Sequence, residues 1–270
     1  MALTIFYPGE PMMSLYVASA CQLSCQECIM MHLMKKDAAY QMSLEEIDQL
    51  LYYSEKSNYQ FHYRLTGGEP FLWKHLLEGV RRLKASPSCL SISIISNAIH
   101  TEPVTEELME MVDCLRISKY LYNEKKAEYL EQKFPSRVLV VDRQEFVKNP
   151  TDKVPNSIPV HCSNPELMFY NNKVYACPHS KSIALHFDVD MKLYNELGMH
   201  FKNGLGDIRH AQEKELCTRC IGNKAVRKSM DQILNVSGTQ PNPERLTKHR
   251  KHRLLGFIPA HRLPKVMRHW

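Results

Sequence analysis

Cys21, Cys25 and Cys28 stand in the run CQLSCQECIM, with three residues between the first two thiols and two between the last two. Three thiolates on one short loop can hold three irons of a cubane 4Fe–4S cluster and leave the fourth iron without a protein ligand. An iron left open is a coordination site, where a small molecule can bind and receive an electron. Cluster type, charge, hydrogen bonding and exposure set the potential of such a centre. In a chain with nine cysteines this spacing has a real chance background, so it needs a second signal.

The second signal is RLTGGEPFLW, Arg64 to Trp73. Apolar or aromatic residues at Tyr59, Phe61, Tyr63 and Leu65 alternate as in a half-buried strand. Leu72, Leu76, Leu77, Val80 and Leu83 then recur at helical spacing, with Pro70 near the expected helix start, so the sequence predicts a helix over Pro70 to Ala85. Gly67 and Gly68 allow a sharp turn and a close approach to a ligand. Glu69 offers a charge at the strand's carboxyl end. A cysteine triad after the first strand and TGGEP after the second resemble the radical S-adenosylmethionine (SAM) superfamily. The resemblance implies that the three cysteines hold the cluster and that SAM chelates the open iron through its amino and carboxylate groups. It also implies that Glu69 meets the SAM amino group. At the next strand ends, Ser96 and Ser118, with Asn97 beside the first, fall where that family places polar groups for the SAM ribose and carboxylate, although Ser and Asn also suit turns. One position departs from the pattern. The family commonly has an aromatic residue before the third cluster cysteine, packed on the adenine, and this chain has Glu27.

A second cysteine group, Cys162, Cys177, Cys217 and Cys220, lies in the C-terminal part. Cys162 and Cys177 bracket an expected hairpin turning at Asn171 and Asn172. Cys217 and Cys220 have the two-residue gap that lets one loop present both thiolates to one metal. Four cysteines can close a structural zinc site or fully ligate an iron–sulfur cluster, and spacing alone favours zinc. In order and context the group resembles the auxiliary-cluster SPASM domain of radical SAM enzymes and its shortened twitch form. That resemblance implies an auxiliary Fe–S cluster, 4Fe–4S in type. The family's glycine five residues before the second cysteine is Asn172 here, a mild change because Asn tolerates left-handed backbone. No cysteine follows Cys220, which points to the twitch form with one auxiliary cluster. Cys89 and Cys114 sit beside or within expected strands and read as small buried apolar residues.

The elements that position these groups alternate along the chain. Strands are expected at Ser14 to Ser19, before TGGEP, and at Leu90 to Ile95, Cys114 to Ser118 and Arg137 to Val141. Helices are expected from Leu44, capped by Ser43 and Glu46, over the stretch after TGGEP, from near Pro103, and from Asn123 to Phe134. Such alternation predicts an α/β fold with parallel βαβ units. The five units, with the six strands usual in the resembled superfamily, predict a partial, open parallel β/α barrel of five to six strands with a small C-terminal auxiliary-cluster domain. Its chemistry would lie at the carboxyl ends of the strands. The expected boundaries are 1–150 for the barrel, 151–235 for the auxiliary domain and 236–270 for a basic tail.

The resemblance implies an enzyme in which a 5′-deoxyadenosyl radical takes a hydrogen atom from a substrate carbon and an auxiliary cluster accepts the substrate's electron. Twitch-type members include dehydrogenases of aminocyclitol-type alcohols, so a small sugar- or aminocyclitol-like substrate is favoured, with an external electron donor of flavodoxin or ferredoxin type. Such a reaction needs a base. Arg143 and His179 are the candidates, the first better suited to binding an alkoxide and the second titrating near neutrality. The alternatives are a maturase that modifies a peptide and a non-catalytic metal-binding scaffold. Peptide-modifying members usually carry a longer N-terminal leader-recognition segment than the 20 residues that precede Cys21. Composition places limits of its own. The chain has 270 residues, 44% hydrophobic and 24% charged, and a net charge of +6. From Glu244 onward there are eight basic residues and one acid, so the body is near neutral and the tail basic. The tail suits an anionic surface or an acidic partner. No nucleic-acid-binding module is recognisable, and no nucleic acid partner is expected. Without an export signal or a long apolar run, the expected location is cytoplasmic, where cysteines in metal-ligand spacings favour metals over disulfides.

Overall fold

The computed structural model describes residues 12–25, 28, 30–120, 122–142, 166–175, 177–186 and 194–196. Its centre is β1 (Met12–Ala18), in which every residue is buried. A strand covered on both faces is the mark of a parallel sheet's interior. On one side of β1 lies β2 (Phe61–Gly67), and β3 (Cys89–Ser96), β4 (Cys114–Lys119) and β5 (Val138–Asp142) follow outward, each pairing in parallel with the one before. On the other side lies β6 (Leu167–Tyr170), also parallel, with Met13 opposite Leu167 and Leu15 opposite Phe169. Two antiparallel strands, β7 (Lys173–Tyr175) and β8 (Tyr194–Glu196), complete an eight-stranded sheet of order β5-β4-β3-β2-β1-β6-β7-β8. The fold is therefore mixed α/β with a mostly parallel sheet.

β6 departs from the expected layout. Its run LMFY reads as the first arm of a hairpin in the appendage, and the hairpin is present: Asn171 and Asn172 both take left-handed backbone, with φ of 49° and 55°. That is the geometry a two-residue primed turn requires, and Asn accepts it readily. But β6 is apolar on both faces and fully buried, so it also pairs with β1. The main sheet thus gains its sixth parallel strand from a stretch beyond residue 150. An ion pair fastens it there. The Glu166 carboxylate accepts from Arg64 Nη1 at 2.7 Å and from the Ser14 hydroxyl, joining β6 to β2 and β1.

Helices pack against the sheet. α1 (Met31–Lys36) follows the cysteine loop, and α2 (Leu44–Lys56) starts on the expected capping box: Ser43 Oγ accepts from the Glu46 amide and Glu46 Oε2 accepts from the Ser43 amide. The helix expected over Pro70 to Ala85 is broken in two, a 3-10 turn at Pro70–Leu72 and α3 (Leu76–Ala85). Trp73 explains the break. Its indole is 2% exposed, donates to the Met42 carbonyl at 2.7 Å and lies against Gly79, so the chain runs extended at Trp73 to seat it. α4 (Glu106–Met111) begins on Thr105, and α5 (Glu124–Lys133) follows Asn123. Met13, Leu15, Val17, Phe61, Tyr63, Leu65, Ile92, Ile94, Leu115 and Ile117 meet these helices in one core. A second cluster joins Tyr16, Met30 and Leu33 to Met168, Tyr170, Tyr175 and Ala184, and α6 (Ser180–His186) packs there against α1.

Candidate functional site

The carboxyl ends of β1 to β4 open on a cavity of about 760 Å³, within the usual range for small-ligand sites. Cys21, Cys25 and Cys28 all line it, as do Gly67, Gly68, Ser96, Asn97, Ser118 and Tyr120. The expected cofactor positions thus meet at one place, except for Glu69.

The two glycines have a definite packing role. Gly67 takes φ +142°, and a Cβ there would stand 2.3 Å from the Ala18 carbonyl oxygen. A Cβ on Gly68 would stand 2.4 Å from the Ala20 carbonyl oxygen and 2.5 Å from that of Ser19. The Gly68 amide donates to Ala18 O at 2.7 Å and the Glu69 amide to Ala20 O at 2.8 Å. The close approach expected toward a ligand is an approach to the chain's own backbone, and it pins the residue just before Cys21.

Glu69 lies behind the cavity wall rather than on it, 1% exposed. Its Oε1 accepts from the Phe71 amide at 3.0 Å and the Ser96 hydroxyl at 2.8 Å, and its Oε2 accepts from the Asn97 amide at 2.8 Å. Burial raises this carboxyl above its ordinary range, and the three donors partly offset the rise. A carboxylate has about four acceptor positions, so one remains. Glu69 therefore shapes the loop after β3. Ser96 Oγ also accepts from the Ala98 amide, which helps hold Ala98 at φ 49°. Asn97 extends its Nδ2 to Cys21 Sγ at 3.6 Å and to Gln22 Oε1 at 3.4 Å.

Asn123, not singled out from the sequence, links this loop to the next. It is 1% exposed and donates to the Asn97 carbonyl and, at 2.9 Å, to the Ser118 carbonyl; its Oδ1 accepts from the Tyr120 amide at 2.6 Å. Its signal in the sequence is an Asn just before a helix, which also reads as a simple cap. Tyr120, placed this way, stacks on Tyr122 with ring centroids 5.2 Å apart and planes within 13°.

Three cysteines on one cavity supply the donor set of a 4Fe–4S cluster with one iron left open. Among the described residues no three His, Cys, Asp or Glu side chains converge to hold a single metal ion. Sulfur-directed donors are in place, from the Leu23 amide and Asn97 to Cys21. Burial raises the Cys21 and Cys25 thiols above their ordinary value, so a bound cation is what would keep them deprotonated.

Of the second group, Cys177 is described and Cys162, Cys217 and Cys220 lie outside the described residues, as do Arg143, Glu27 and the tail. Cys177 Sγ accepts from the His179 amide at 3.4 Å, just before α6. His179, expected to titrate near neutrality, is half-buried beside Cys177. It does not line the cavity. Cys114 is 8% exposed, as expected of a small apolar residue, and Cys89 is partly buried. Among the described residues no helix is long and apolar enough to cross a membrane.

Residues 8–137 match the family described as a 4Fe-4S single cluster domain, a span that holds the triad and TGGEP. No curated protein matches the chain. Among solved structures, BtrN in complex with AdoMet and 2-DOIA is similar at 16% identity, with TM-score 0.56, over 82% of this chain and 89% of that one. BtrN in an open conformation is similar at 17% identity, with TM-score 0.51, over 81% and 97%. At these identities the likeness is one of fold.

Proposed function

We propose that the chain is a radical SAM enzyme acting on a small molecule. The observation that carries this reading is the convergence of the three cysteines, both TGGEP glycines and the loops after β3 and β4 on one cavity. Cys21, Cys25 and Cys28 hold a 4Fe–4S cluster, and SAM occupies the cavity beside them. When bound, the cluster and SAM supply one-electron cleavage to methionine and a 5′-deoxyadenosyl radical that takes a hydrogen atom from substrate, and an auxiliary Fe–S cluster on Cys162, Cys177, Cys217 and Cys220 supplies an acceptor for the substrate's electron.

The chain's own residues bind and orient. Gly68 and Glu69 fix the start of the cysteine loop through the Ala18 and Ala20 carbonyls. Glu69, buried behind the wall, acts as a positioning residue for Ser96 and Asn97, and the contact with the SAM amino group that the resemblance implies would need the wall to open at Glu69. Ser96 and Ser118 offer polar edges to the ribose and carboxylate. The sheet serves as the partial barrel of that superfamily, with the cavity at its carboxyl rim. A dehydrogenation of a sugar- or aminocyclitol-like alcohol is the favoured reaction, supported by the single second cysteine group and by the fold shared with BtrN, whose complex holds AdoMet and 2-DOIA. A flavodoxin- or ferredoxin-type donor and a cytoplasmic location accompany the reading, and the basic tail is assigned to an anionic surface or acidic partner. The test is anaerobic reconstitution with iron and sulfide, then SAM and dithionite. The expected product is 5′-deoxyadenosine, absent with Cys25→Ala; a fully iron-loaded protein that releases none overturns the reading.

A further inference from the structure

At the sequence position where the resembled superfamily carries an adenine-packing aromatic this chain has Glu27, and the cavity has an aromatic group of its own in Tyr120. We infer that Tyr120, backed by Tyr122, is the stacking platform for the adenine of SAM in this chain. This inference rests on the reading above and names one subsite within it.

Three observations carry the assignment. Tyr120 lines the same cavity as the three cysteines, just past the end of β4. It lies two residues beyond Ser118, and extended backbone puts residues i and i+2 on one side. Tyr120 and Ser118 therefore share the wall, as an adenine and its ribose must. Second, the Tyr120 backbone is fixed. Its amide donates to Asn123 Oδ1 at 2.6 Å, and Asn123 in turn holds the Ser118 and Asn97 carbonyls. One buried side chain thus sets the ring's position relative to the loop that reaches Cys21. Third, the Tyr122 ring stacks on Tyr120 in a parallel, offset arrangement, with centroids 5.2 Å apart and planes within 13°, while remaining 59% exposed. A stacked aromatic pair with one ring left largely in solvent gains little by its own burial. It does stiffen Tyr120 as a flat, polarisable surface beside the ligand site. Base-on-aromatic stacking depends on the π face and tolerates any ring, so the hydroxyl is not the element that matters.

The experiment reads SAM binding without turnover. Anaerobically reconstituted wild type and variants, matched for iron content, are titrated with SAM and followed by the EPR spectrum of the reduced cluster. Tyr120→Ala weakens SAM binding by about tenfold or more, the usual size of one lost base stack. Tyr120→Phe and Tyr120→Trp retain it, and Tyr120→Leu, which keeps apolar bulk without a π face, does not. Tyr122→Ala, at an exposed position that leaves folding intact, weakens binding by about threefold and decides the matter should Tyr120→Ala fail to load iron. Wild-type affinity in Tyr120→Ala, or equal affinity in the Leu and Phe variants, overturns this inference while the enzyme reading stands. A wild-type cluster that does not respond to SAM overturns both.

Discussion

Gly68→Ala is the sharpest steric test of how the site is built. A Cβ there meets the Ala20 carbonyl oxygen at 2.4 Å and the Ser19 carbonyl oxygen at 2.5 Å, whereas real Cβ contacts do not fall below 3.0 Å. Backbone must therefore move by about 0.6 Å, the difference between 2.4 and 3.0 Å. No flexible side-chain end can absorb it, and the amide bonds Gly68 to Ala18 and Glu69 to Ala20 resist the movement. Overpacking of this kind costs about 2 kcal/mol, which for a chain of this size lowers the melting temperature by about 4–8 °C. The strain falls on Ala20, next to Cys21, so the cluster must register it as well. Gly79→Ala is the control, because its Cβ would strike the Trp73 ring at 2.1 Å, far along the chain from the cysteines. Helix propensity favours Ala there by about 1 kcal/mol, but the indole is held by Met42 O and cannot retreat. Calorimetry of the apo proteins and EPR of the reconstituted ones give the two readouts. Both variants lose stability, and only Gly68→Ala alters the cluster spectrum or its iron content. A Gly68→Ala protein with wild-type melting and spectrum refutes the packing argument.

Other perturbations test other joints. Asn123→Ala strips a buried hub of three hydrogen bonds, and leaving those backbone groups unpaired costs about 3 kcal/mol in urea unfolding, with SAM affinity falling alongside. Arg64→Met leaves Glu166, 4% exposed, with the Ser14 hydroxyl but without its cationic partner, so a loss of about 3 kcal/mol is expected if β6 belongs to the main sheet, and near-neutral unfolding contradicts that placement. Burial raises the Glu69 carboxyl, so its contribution to apo stability is fully present below the ordinary carboxylate value and declines as pH rises through the raised one. Glu69→Gln cannot ionise and is therefore less destabilising, relative to wild type, at pH 8 than at pH 5; the reverse order excludes a raised value. Ala variants of Cys217 and Cys220 should lower the reconstituted iron from about eight to about four per chain and keep 5′-deoxyadenosine release; four irons plus one zinc in wild type favours the structural alternative.

The parallel core was legible because its strands and helices each carry a clean period: Phe61, Tyr63 and Leu65 alternate, and Ser43 with Glu46 announces α2. Trp73 hid the break before α3, since an aromatic at helical spacing looks like core until its indole's partner, Met42, is known. β6 was legible as a strand but not as a sheet partner of β1, because hairpin chemistry at Asn171 and Asn172 is local while the β1 pairing joins positions as far apart as Met13 and Leu167. At the site the motif residues were visible by type and spacing. Their division of labour was not: Glu69 turns inward to hold the Ser96 loop, and Asn123 ties two loops through backbone carbonyls. Each depends on packing between distant segments, which spacing does not encode.

The measurement that bears most directly on the whole account is the EPR spectrum of the dithionite-reduced, iron-loaded protein before and after SAM is added. Binding of SAM at an open iron on the Cys21, Cys25 and Cys28 loop predicts a shifted spectrum, with no such response in Cys25→Ala. An identical spectrum in the two wild-type samples, at full iron content, contradicts it.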